Sequence, residues 1–461
     1  LARLLDIDMD KICTALSIHF KNKQKPIDMN FGMVTRAYEW AQANLVKADP
    51  YRVEPMNATE GLIMADGNTA AALGAIYGGV QLVAWYPITP ATSLPEALME
   101  YLPKLRKDPE DPQRNTFVVL QAEDELAAIG MCVGGGWAGL RSMTSTSGPG
   151  LSLMAEYTGL AYFSETPLVV WDIQRVGPST GLPTRTAQGD LTFAYFIGHG
   201  DTEMIILLPG SVNECFEFGW RSFDIAERVQ TPVLVLSDLD FGMNNWIARP
   251  FEYPDAPMDR GKLLWEEDLE KLKGDWGRYR DVDGDGIPYR TLPGNCYPGA
   301  SYFARGTGHN PDARYSEDNR VWHDNLDRLK RKFNTARQYL PGPVIERMDG
   351  AEVGIIAFGS TDPAIQEARH QLSAGGLKTD YMRLRAIPFT DEVIEFIQQH
   401  PRTYVVEMNR DGQLKQILSL SYPQVAGKLV SIAYTDGLPL TASFVQQAVA
   451  TKEQGLAQEV K

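Results

Sequence analysis

The sequence has few cysteines and no closely spaced pair of them. Its four thiols lie far apart in 461 residues, at Cys13, Cys132, Cys215 and Cys296, and no CxxC motif occurs. Zinc and iron–sulfur sites usually draw their ligands from closely spaced cysteines, so neither kind of site can be placed in this sequence. Isolated thiols are typical of a reducing compartment, and we therefore expect the protein to be cytoplasmic.

Long apolar runs and an excess of basic charge are also missing. No stretch is long enough to span a bilayer, and no leader of basic and then apolar residues opens the chain. The first residue is Leu1 rather than Met, which is compatible with a piece of a longer protein. The formal net charge of -15 argues against nucleic acid or an anionic membrane as a partner.

The chain does contain apolar runs that alternate with helical stretches. Apolar runs of this kind are typical of strands buried on both faces of a parallel sheet. We therefore predict an α/β fold, in which a doubly wound parallel sheet is followed by a second, smaller α/β domain. The predicted strands are 81–85, 116–120, 167–171, 204–208 and 232–236, then 353–358 and 404–408, with a helix at 362–373.

Two segments lack this alternation. Residues 1–51 are helical in pattern and charged, with too few apolar residues for a domain of their own. Residues 241–340 are rich in Asp, Arg, Tyr, Pro and Gly, which predicts a long irregular connector. The predicted divisions of the chain are therefore 1–51, 52–240, 241–340 and 341–461.

Two glycine-rich stretches imitate cofactor motifs in the wrong context. Gly134–Gly139 satisfies G-x-G-x-x-G but follows a helical pattern instead of a strand, so we expect its glycines to end that helix and to allow close packing. Gly284–Gly286 with Asn310 imitates the metal-diphosphate motif of thiamine enzymes, but no buried strand precedes it. We predict no diphosphate-binding motif in this chain.

The second of these stretches has a further interpretation as a cation site. Asp281, Asp283 and Asp285 precede Gly286 with the spacing of the front half of a calcium loop. The bidentate Glu that closes such a loop is missing, because its position holds Leu292. We favour a plain acidic turn and keep the three aspartates as the candidate metal ligands.

Polar residues follow the predicted strands at several places, and the carboxyl ends of parallel strands are where such folds bind ligands. At Tyr86–Pro90 two prolines make a stiff connector that can present the Thr89 hydroxyl, although an ordinary turn before a helix capped by Thr92 or Ser93 fits as well. Glu123–Glu125 begin an apolar helix, which suits its cap and dipole. We expect one of these acids to point into the crevice of the sheet, where it needs a partner.

A third stretch, 172–185, combines Arg175 with several hydroxyls in a turn-rich loop directly after a strand. An arginine fork with threonine donors would bind a small carboxylate, and a solvated surface loop is the alternative. Between these stretches lies 144–150, a strand end whose glycines would let a ligand approach the backbone, as many plain turns also do.

In this order, the four stretches resemble the alpha subunits of 2-oxoacid:ferredoxin oxidoreductases, most closely those of the 2-oxoglutarate type. The resemblance covers nearly the whole chain. It implies that 52–240 is a thiamine pyrimidine-binding domain, that 341–461 is a domain like the C-terminal domain of transketolase, and that 1–51 is the tail of a fused gamma domain with its linker. The implied reaction is CoA-dependent oxidative decarboxylation of 2-oxoglutarate to succinyl-CoA, with electrons passed to ferredoxin.

The resemblance also implies roles for individual residues. Thiamine diphosphate needs a carboxylate at the pyrimidine N1′, so that its 4′-amino group can take the C2 proton, and Glu123 matches that position. Burial of Glu123 would stiffen its bond to the ring. Thr89 and Arg175 match the pair that receives the substrate carboxylate, and Thr184 matches a position at the far end of the substrate. The implied contacts with the cofactor are Tyr86, Pro87, Ile88, Ser147 and Gly148, together with Glu123.

The chemistry that this chain lacks would come from a partner. The resemblance implies a beta subunit that carries Mg²⁺ and a [4Fe-4S] cluster, coenzyme A as co-substrate, ferredoxin as electron acceptor, and an alpha2beta2 assembly with the active site at the subunit contact. The sequence leaves open pyruvate or another 2-oxoacid as substrate, the direction of the reaction, a transketolase-like subunit that never meets ferredoxin, and a non-catalytic scaffold subunit.

Overall fold

The computed structural model describes residues 1–111 and 113–459, with strands β1–β14 and helices α1–α16 numbered in chain order. One compact unit is Leu1–Leu62, and a second begins at Ile63. The first unit contains α1 (Met9–His19) and α2 (Gln24–Asn44), which confirms the helical prediction. Asp8 caps α1, because its side chain accepts a hydrogen bond of 2.8 Å from the Asp10 N–H.

The second unit contains a seven-stranded sheet with the order β12-β6-β7-β5-β4-β2-β3. All neighbouring strands are parallel except β12, which pairs antiparallel with β6. The strands are β2 (Leu82–Trp85), β3 (Val118–Gln121), β4 (Ser142–Thr146), β5 (Leu168–Gln174), β6 (Ile205–Leu207), β7 (Pro232–Asp238) and β12 (Ala386–Ile387). The predicted parallel sheet is confirmed.

The same unit contains two smaller sheets. β1 (Ile63–Ala65) and β8 (Trp246–Ala248) form an antiparallel pair. The second large sheet has the order β14-β13-β10-β11-β9, in which only β9 is antiparallel. Its strands are β9 (Val344–Glu346), β10 (Val353–Phe358), β11 (Thr379–Leu384), β13 (Thr403–Glu407) and β14 (Leu429–Ala433).

Helices cover both faces of the large sheets. Those of the second unit are α3 (Gly67–Tyr77), α4 (Ser93–Leu105), α5 (Glu125–Trp137), α6 (Gly148–Leu153), α7 (Ala155–Ser164), α8 (Leu191–Tyr195), α9 (Val212–Val229), α10 (Leu239–Met243), α11 (Glu266–Lys271), α12 (Asn319–Ala336), α13 (Asp362–Ala374), α14 (Asp391–Gln399), α15 (Gln413–Ser421) and α16 (Ala442–Glu459). Short 3-10 turns follow at Arg337–Tyr339, Gly359–Thr361 and Pro423–Lys428. None of the helices in the described residues has the length and hydropathy that crossing a bilayer requires.

The central strand β5 divides the interior into two cores, because its side chains alternate between the two faces of the sheet. Val169, Trp171 and Ile173 pack with α3, α4 and α9. Leu168 and Val170 pack in the other core, which also contains Ile356 and Phe358 of the second large sheet. The two large sheets therefore share a core, and the domain boundaries expected from the sequence stay predictions.

The segment 241–340 contains a helix that the sequence did not indicate. We expected an irregular connector, whereas α12 is an α-helix of 18 residues. Its buried residues include Asn325, Arg328 and Lys332, so the buried face is largely polar. A search for apolar periodicity cannot detect a helix of this kind.

The glycines of 134–139 behave as the sequence predicted. Gly134, Gly135 and Gly136 lie inside α5, which ends at Trp137. A Cβ placed on Gly136 would lie 2.0 Å from the carbonyl oxygen of Pro167, so only glycine lets the helix pack this closely beside β5. The G-x-G-x-x-G pattern therefore serves helix packing.

Candidate functional site

The candidate site lies at one edge of the seven-stranded sheet. The strands β5, β4, β2 and β3 are neighbours and parallel, so their carboxyl ends meet there. The stretches singled out in the sequence begin at these four ends. This placement agrees with the rule that open parallel sheets bind ligands beyond the carboxyl ends of their strands.

Thr89 and Arg175, the two residues that the resemblance assigns to the substrate carboxylate, are in contact. Arg175 follows β5, is 6% exposed, and donates from Nη1 to the carbonyl oxygen of Thr89 over 2.6 Å. Its Nη2 donates to the carbonyl oxygen of Thr180 over 2.9 Å, which fixes the plane of the guanidinium. Burial lowers the pKa of Arg175, while Asp190 acts to raise it. Arg175 offers five N–H groups, so it keeps donors for a carboxylate ligand.

The loop after Arg175 is held by its own backbone. The Val176 N–H donates to the Arg185 carbonyl over 3.1 Å, and the Leu182 N–H donates to the Val176 carbonyl over 3.0 Å. Gly181 has a φ of 50°, and a Cβ there would lie 1.7 Å from the Val176 oxygen. Thr184 lies on the returning side of this loop and is exposed. Its role at the far end of a substrate stays a prediction.

The connector 86–90 is built around Ile88. The Ile88 N–H donates to Thr92 Oγ1 over 3.0 Å, and the Ile88 carbonyl accepts the Ala91 N–H over 2.8 Å. Thr92 precedes α4, yet its side chain makes no cap hydrogen bond to the helix, so the capping interpretation for Thr92 is wrong. Pro87 is exposed, while Tyr86 and Ile88 are half-buried, and the structure does not test the predicted contacts of these three residues with a cofactor.

The three consecutive acids have three different environments. Glu123 is exposed, so the burial that we expected for it is not found in this chain. Asp124 caps α5, because its Oδ1 accepts the Ala127 N–H over 2.7 Å. Glu125 is 7% exposed and packs against Gly150, where a Cβ would lie 2.8 Å from Glu125 Oε1. Of the three, Glu123 is the most exposed, and its carboxylate is not used as a helix cap.

Ser147 and Gly148 form the turn between β4 and α6. Ser147 is completely buried, and its hydroxyl has no hydrogen-bond partner among the described residues. A Cβ on Gly148 would lie 2.6 Å from Asp190 Oδ1, so the Asp190 carboxyl group lies against the Gly148 backbone. The turn is therefore packed against an acid that also faces Arg175.

Comparison with known proteins identifies the family. Residues 73–252 match the family described as pyruvate flavodoxin/ferredoxin oxidoreductase, thiamine diP-bdg (thiamine diphosphate-binding). The 2-oxoglutarate synthase subunit KorA of Methanocaldococcus jannaschii is 34% identical over 349 residues, which are 74% of this chain and 87% of KorA. This chain belongs to the family of 2-oxoacid:ferredoxin oxidoreductase alpha subunits.

Other alpha subunits of the family are longer than this chain. Subunit alpha of 2-oxoacid:ferredoxin oxidoreductase 2 from Aeropyrum pernix is 33% identical over 90% of this chain, which spans 65% of that relative. Subunit alpha of 2-oxoacid:ferredoxin oxidoreductase 1 from Sulfurisphaera tokodaii is matched by this chain over 48% of that relative's length. The chain thus covers between about half and two thirds of these curated relatives.

A solved structure of the family superposes on nearly the whole chain. The 2-oxoglutarate:ferredoxin oxidoreductase from Magnetococcus marinus, with 2-oxoglutarate, coenzyme A and succinyl-CoA bound, matches with a TM-score of 0.84 and 32% identity. The match covers 98% of this chain and 76% of that one. The fold predicted from the sequence is confirmed by this match.

The residues of this alpha-subunit chain fit one end of thiamine diphosphate. Glu123 has no ion-pair partner among the described residues, so its exposed carboxylate can accept a hydrogen bond from a ring nitrogen of the cofactor. For the metal that accompanies the diphosphate, no group of three or more His, Cys, Asp or Glu side chains is placed to hold an ion in the parts of the chain that the structure describes.

The aspartates of 281–285 are paired with cations of the protein itself. Lys262 Nζ lies 2.6 Å from Asp283 Oδ2 and 2.8 Å from Asp285 Oδ1. Asp281 pairs with Arg331 over 2.9 Å. The structure therefore contradicts the calcium interpretation of Asp281, Asp283 and Asp285 and agrees with the acidic turn.

Two acids at the site were missed in the sequence. Asp172 of β5 is completely buried, and Asp190 lies where the loop returns to α8. Burial and then the neighbouring Asp190 raise the pKa of Asp172 well above its usual value. Burial raises the pKa of Asp190 to about 7, although Arg175 opposes this shift. The sequence feature that could have revealed this pair is Asp172 itself, because an acid directly after a run of apolar residues buried on both faces needs a partner or a proton.

Proposed function

We propose that the chain serves as the alpha subunit of a 2-oxoglutarate:ferredoxin oxidoreductase. In this function 2-oxoglutarate and coenzyme A are converted to succinyl-CoA and carbon dioxide, and electrons pass to ferredoxin. The observation that carries the proposal is the contact between the buried Arg175 guanidinium and Thr89 at the carboxyl edge of the sheet. The likeness to KorA and to the enzyme from Magnetococcus marinus supports 2-oxoglutarate as the substrate.

The residues of this chain would bind and orient the substrate. Arg175 is held by the carbonyl oxygens of Thr89 and Thr180, so its remaining N–H donors are fixed in direction before a ligand arrives. A preorganised guanidinium can bind the carboxylate of a 2-oxoacid in a bidentate manner, and Thr89 can add a short donor. Thr184 would line the far end of the substrate, beyond the shared 2-oxo group.

The proposal assigns the cofactor a place beside Glu123. Thiamine diphosphate, when bound, supplies the nucleophilic carbon that the reaction needs. Glu123 would hold a proton at the pyrimidine N1′, and the connector 86–88 with Ser147 and Gly148 would shape the pocket around the ring. An exposed Glu123 is expected if the cofactor lies between this chain and a partner, because the carboxylate then becomes buried only in the assembly.

The remaining chemistry would come from other proteins. We propose a beta subunit that carries Mg²⁺ and a [4Fe-4S] cluster, an alpha2beta2 assembly, ferredoxin as electron acceptor and a cytoplasmic location. The naming of the relatives as alpha subunits supports a partner subunit. The widely separated cysteines agree with a cluster outside this chain and with a reducing compartment.

The first test of the proposal measures substrate binding in the assembled complex. Arg175→Met should raise KM for 2-oxoglutarate roughly 100-fold, because a charged hydrogen-bonding partner worth about 3 kcal/mol is lost, while the affinity for thiamine diphosphate stays near normal. The control is Arg114→Met. Arg114 is an exposed arginine that precedes the amino end of β3, whereas the site lies at the carboxyl ends of the strands. Equal kinetics of Arg175→Met and the native complex would contradict the assignment.

The second test concerns the proton at the cofactor. Glu123→Gln should abolish exchange of the thiamine C2 proton in the assembled complex, which NMR of the quenched cofactor measures. Retained exchange would move the role to Asp124 or Glu125. The substrate is decided by testing 2-oxoglutarate, pyruvate and branched 2-oxoacids in turn, with CoA-dependent reduction of ferredoxin or viologen as the readout. If none of them is converted, the alternative of a non-catalytic scaffold subunit is favoured.

A further inference from the structure

Asp172 is buried in β5 just before the loop that carries Arg175, and Asp190 lies where that loop returns to α8. Because β5 alternates, Val169, Trp171 and Ile173 face one core, and Asp172 and Gln174 face the other side. The Gln174 Oε1 accepts the Asp190 N–H over 3.1 Å, and this bond brings the returning chain over the end of β5. Gly148 closes the space from the β4 side, since its backbone lies against the Asp190 carboxyl group.

The two carboxyl groups lack the partners that buried acids normally have. Both oxygens of Asp172 and the Oδ2 of Asp190 are buried without a hydrogen-bond partner among the described residues. Asp190 is not occupied as a helix cap either, because its side chain makes no cap hydrogen bond to α8. The cation that faces Asp190 is Arg175, and two backbone carbonyls already hold its terminal nitrogens.

Among the described residues, the elements around the pair add no second cation to Arg175. Thr144 and Thr146 of β4 are neutral, and Gln174 is an amide. Two other acids belong to neighbouring elements and have their own contacts. Glu125 of α5 packs against Gly150, and Asp238 at the end of β7 accepts a hydrogen bond of 2.5 Å from Ser360 Oγ.

A single buried cation cannot neutralise two buried carboxylates. Ionising both would leave an uncompensated negative charge in a site of low dielectric, which is the situation in which paired acids retain a proton. In the parts of the chain that the structure describes, no third acid, His or Cys completes a metal site with them. A retained proton is therefore the available way to balance the charge.

We propose that Asp172 and Asp190 share a proton beneath Arg175, and that this positioning pair sets the net positive charge that Arg175 offers to the carboxylate of a 2-oxoacid. The inference rests on the proposed function of Arg175. While Asp190 is protonated, the charge of Arg175 is available to the substrate. When Asp190 loses its proton to solvent, the resulting carboxylate neutralises Arg175, and the anionic substrate binds more weakly.

The pH dependence of substrate binding tests the pair in the assembled complex. With the pKa of Asp190 at about 7, the protonated fraction falls about tenfold between pH 6 and pH 8, and kcat/KM for 2-oxoglutarate should fall by the same factor through KM. Asp190→Asn, which keeps the shape of the neutral acid, should abolish this pH dependence. Asp172→Asn should move the pH dependence to lower pH, because Asp190 then has no second acid with which to share the proton and Arg175 alone favours its ionised form.

A matched comparison separates a role in charge from a role in folding. A merely structural role would let Asp190→Asn lower kcat or stability but would leave the slope of KM against pH unchanged. That unchanged slope would overturn the inference, as would a native complex whose KM does not vary from pH 6 to pH 8. Circular dichroism at both pH values checks that the variant is folded.

A readout without substrate keeps this inference distinct from the proposed function. The infrared difference spectrum of the native complex between pH 6 and pH 8 should contain the carbonyl band of a protonated carboxyl group. Asp190→Asn should remove this band from the difference spectrum. If the complex turns over no 2-oxoacid at any pH while this band is present, the proposed function fails and the shared proton stands. If the native complex turns over 2-oxoglutarate but the band is absent, the shared proton fails and the function stands.

Discussion

Two buried groups of charged residues in the same compact unit balance their charges in different ways. We call them the Glu165 cluster (Glu165, Arg328 and Lys332) and the aspartate pair (Asp172 and Asp190). Glu165 follows α7 with a φ of 56° and is 1% exposed. It accepts hydrogen bonds from Arg328 over 2.5 and 3.0 Å and from Lys332 over 2.8 Å. Although burial opposes it, these two cations hold the pKa of Glu165 well below its usual value.

The comparison separates a structural cluster from a candidate functional one. In the Glu165 cluster, the spare donors also reach backbone oxygens, since Lys332 binds the Gln230 carbonyl over 3.0 Å and Arg328 binds the Gly286 carbonyl over 3.0 Å. These bonds join the polar face of α12 to the rest of the unit. In the aspartate pair, burial raises the pKa values instead, and the cation nearby remains able to bind a ligand. Perturbed acids without dedicated partners are typical of functional sites.

The largest effect that we predict comes from breaking the Glu165 cluster. Glu165→Gln leaves Arg328 and Lys332 buried without their counter-charge, so the free energy of unfolding should fall by about 3–5 kcal/mol. Denaturant unfolding at pH 7 measures the loss. The control is Lys104→Gln, because Lys104 pairs over 2.9 Å with Glu100 on an exposed helix surface and should change stability by less than about 0.5 kcal/mol. Equal stability of Glu165→Gln and the native chain would remove the distinction between the two groups.

The Glu165 cluster also explains which part of the fold the sequence did not reveal. Buried parallel strands were predicted within about three residues, because their continuous apolar runs depend on burial alone: 232–236 became Pro232–Asp238, and 353–358 was exact. The helix α12 was missed, because its buried face is polar. The charges on this face are neutralised by Glu165, which lies more than 150 residues earlier in the chain. Pairing over such a distance leaves no periodic pattern in the sequence.

A second and smaller effect on the free energy of unfolding should appear when Asp190 of the aspartate pair is replaced by neutral asparagine. A carboxyl pKa near 3.9 in the unfolded chain and about 7 in the folded one means that folding retains a proton between these values. Stability contributed by this group is therefore complete below pH 4 and is lost as the pH rises to 7. Asp190→Asn should be more stable than the native chain at pH 8 by up to about 4 kcal/mol, since each pKa unit corresponds to 1.36 kcal/mol.

Thermal unfolding at several pH values checks this prediction. The difference in Tm between Asp190→Asn and the native chain should be smallest near pH 4.5 and should grow up to pH 8. Asp201→Asn provides the control, because Asp201 is exposed and its substitution should change Tm little. A constant difference across this range would mean that Asp190 ionises normally in the folded chain, and the contrast with Glu165 would then be lost.

The candidate site was predictable from the sequence only in part. Arg175 follows β5 and Thr89 follows β2, and these parallel strands lie on either side of β4, so a sequence can indicate that both residues lie at the same edge of the sheet. The environments of Glu123, Asp124 and Glu125 could not be ranked, because one residue of helix rotation decides between solvent, cap and core. Asp190 escaped notice because it enters the site through the returning loop, where only the fold brings it near Gly148 and Arg175.

Asp238 gives the smallest predicted effect, because its pairing is intermediate between the two groups. It caps α10 through the N–H groups of Asp240 and Phe241, and Ser360 Oγ, from the 3-10 turn that follows β10, donates to its Oδ2 over 2.5 Å. Burial raises its pKa to about 6, and the bond from Ser360 opposes the shift. Ser360→Ala should therefore cost about 1.5–3 kcal/mol at pH 8, where Asp238 is ionised, and less at pH 5, where it is protonated. Denaturant unfolding at the two pH values measures the difference, and an equal loss at both would mean that Asp238 has the same charge throughout.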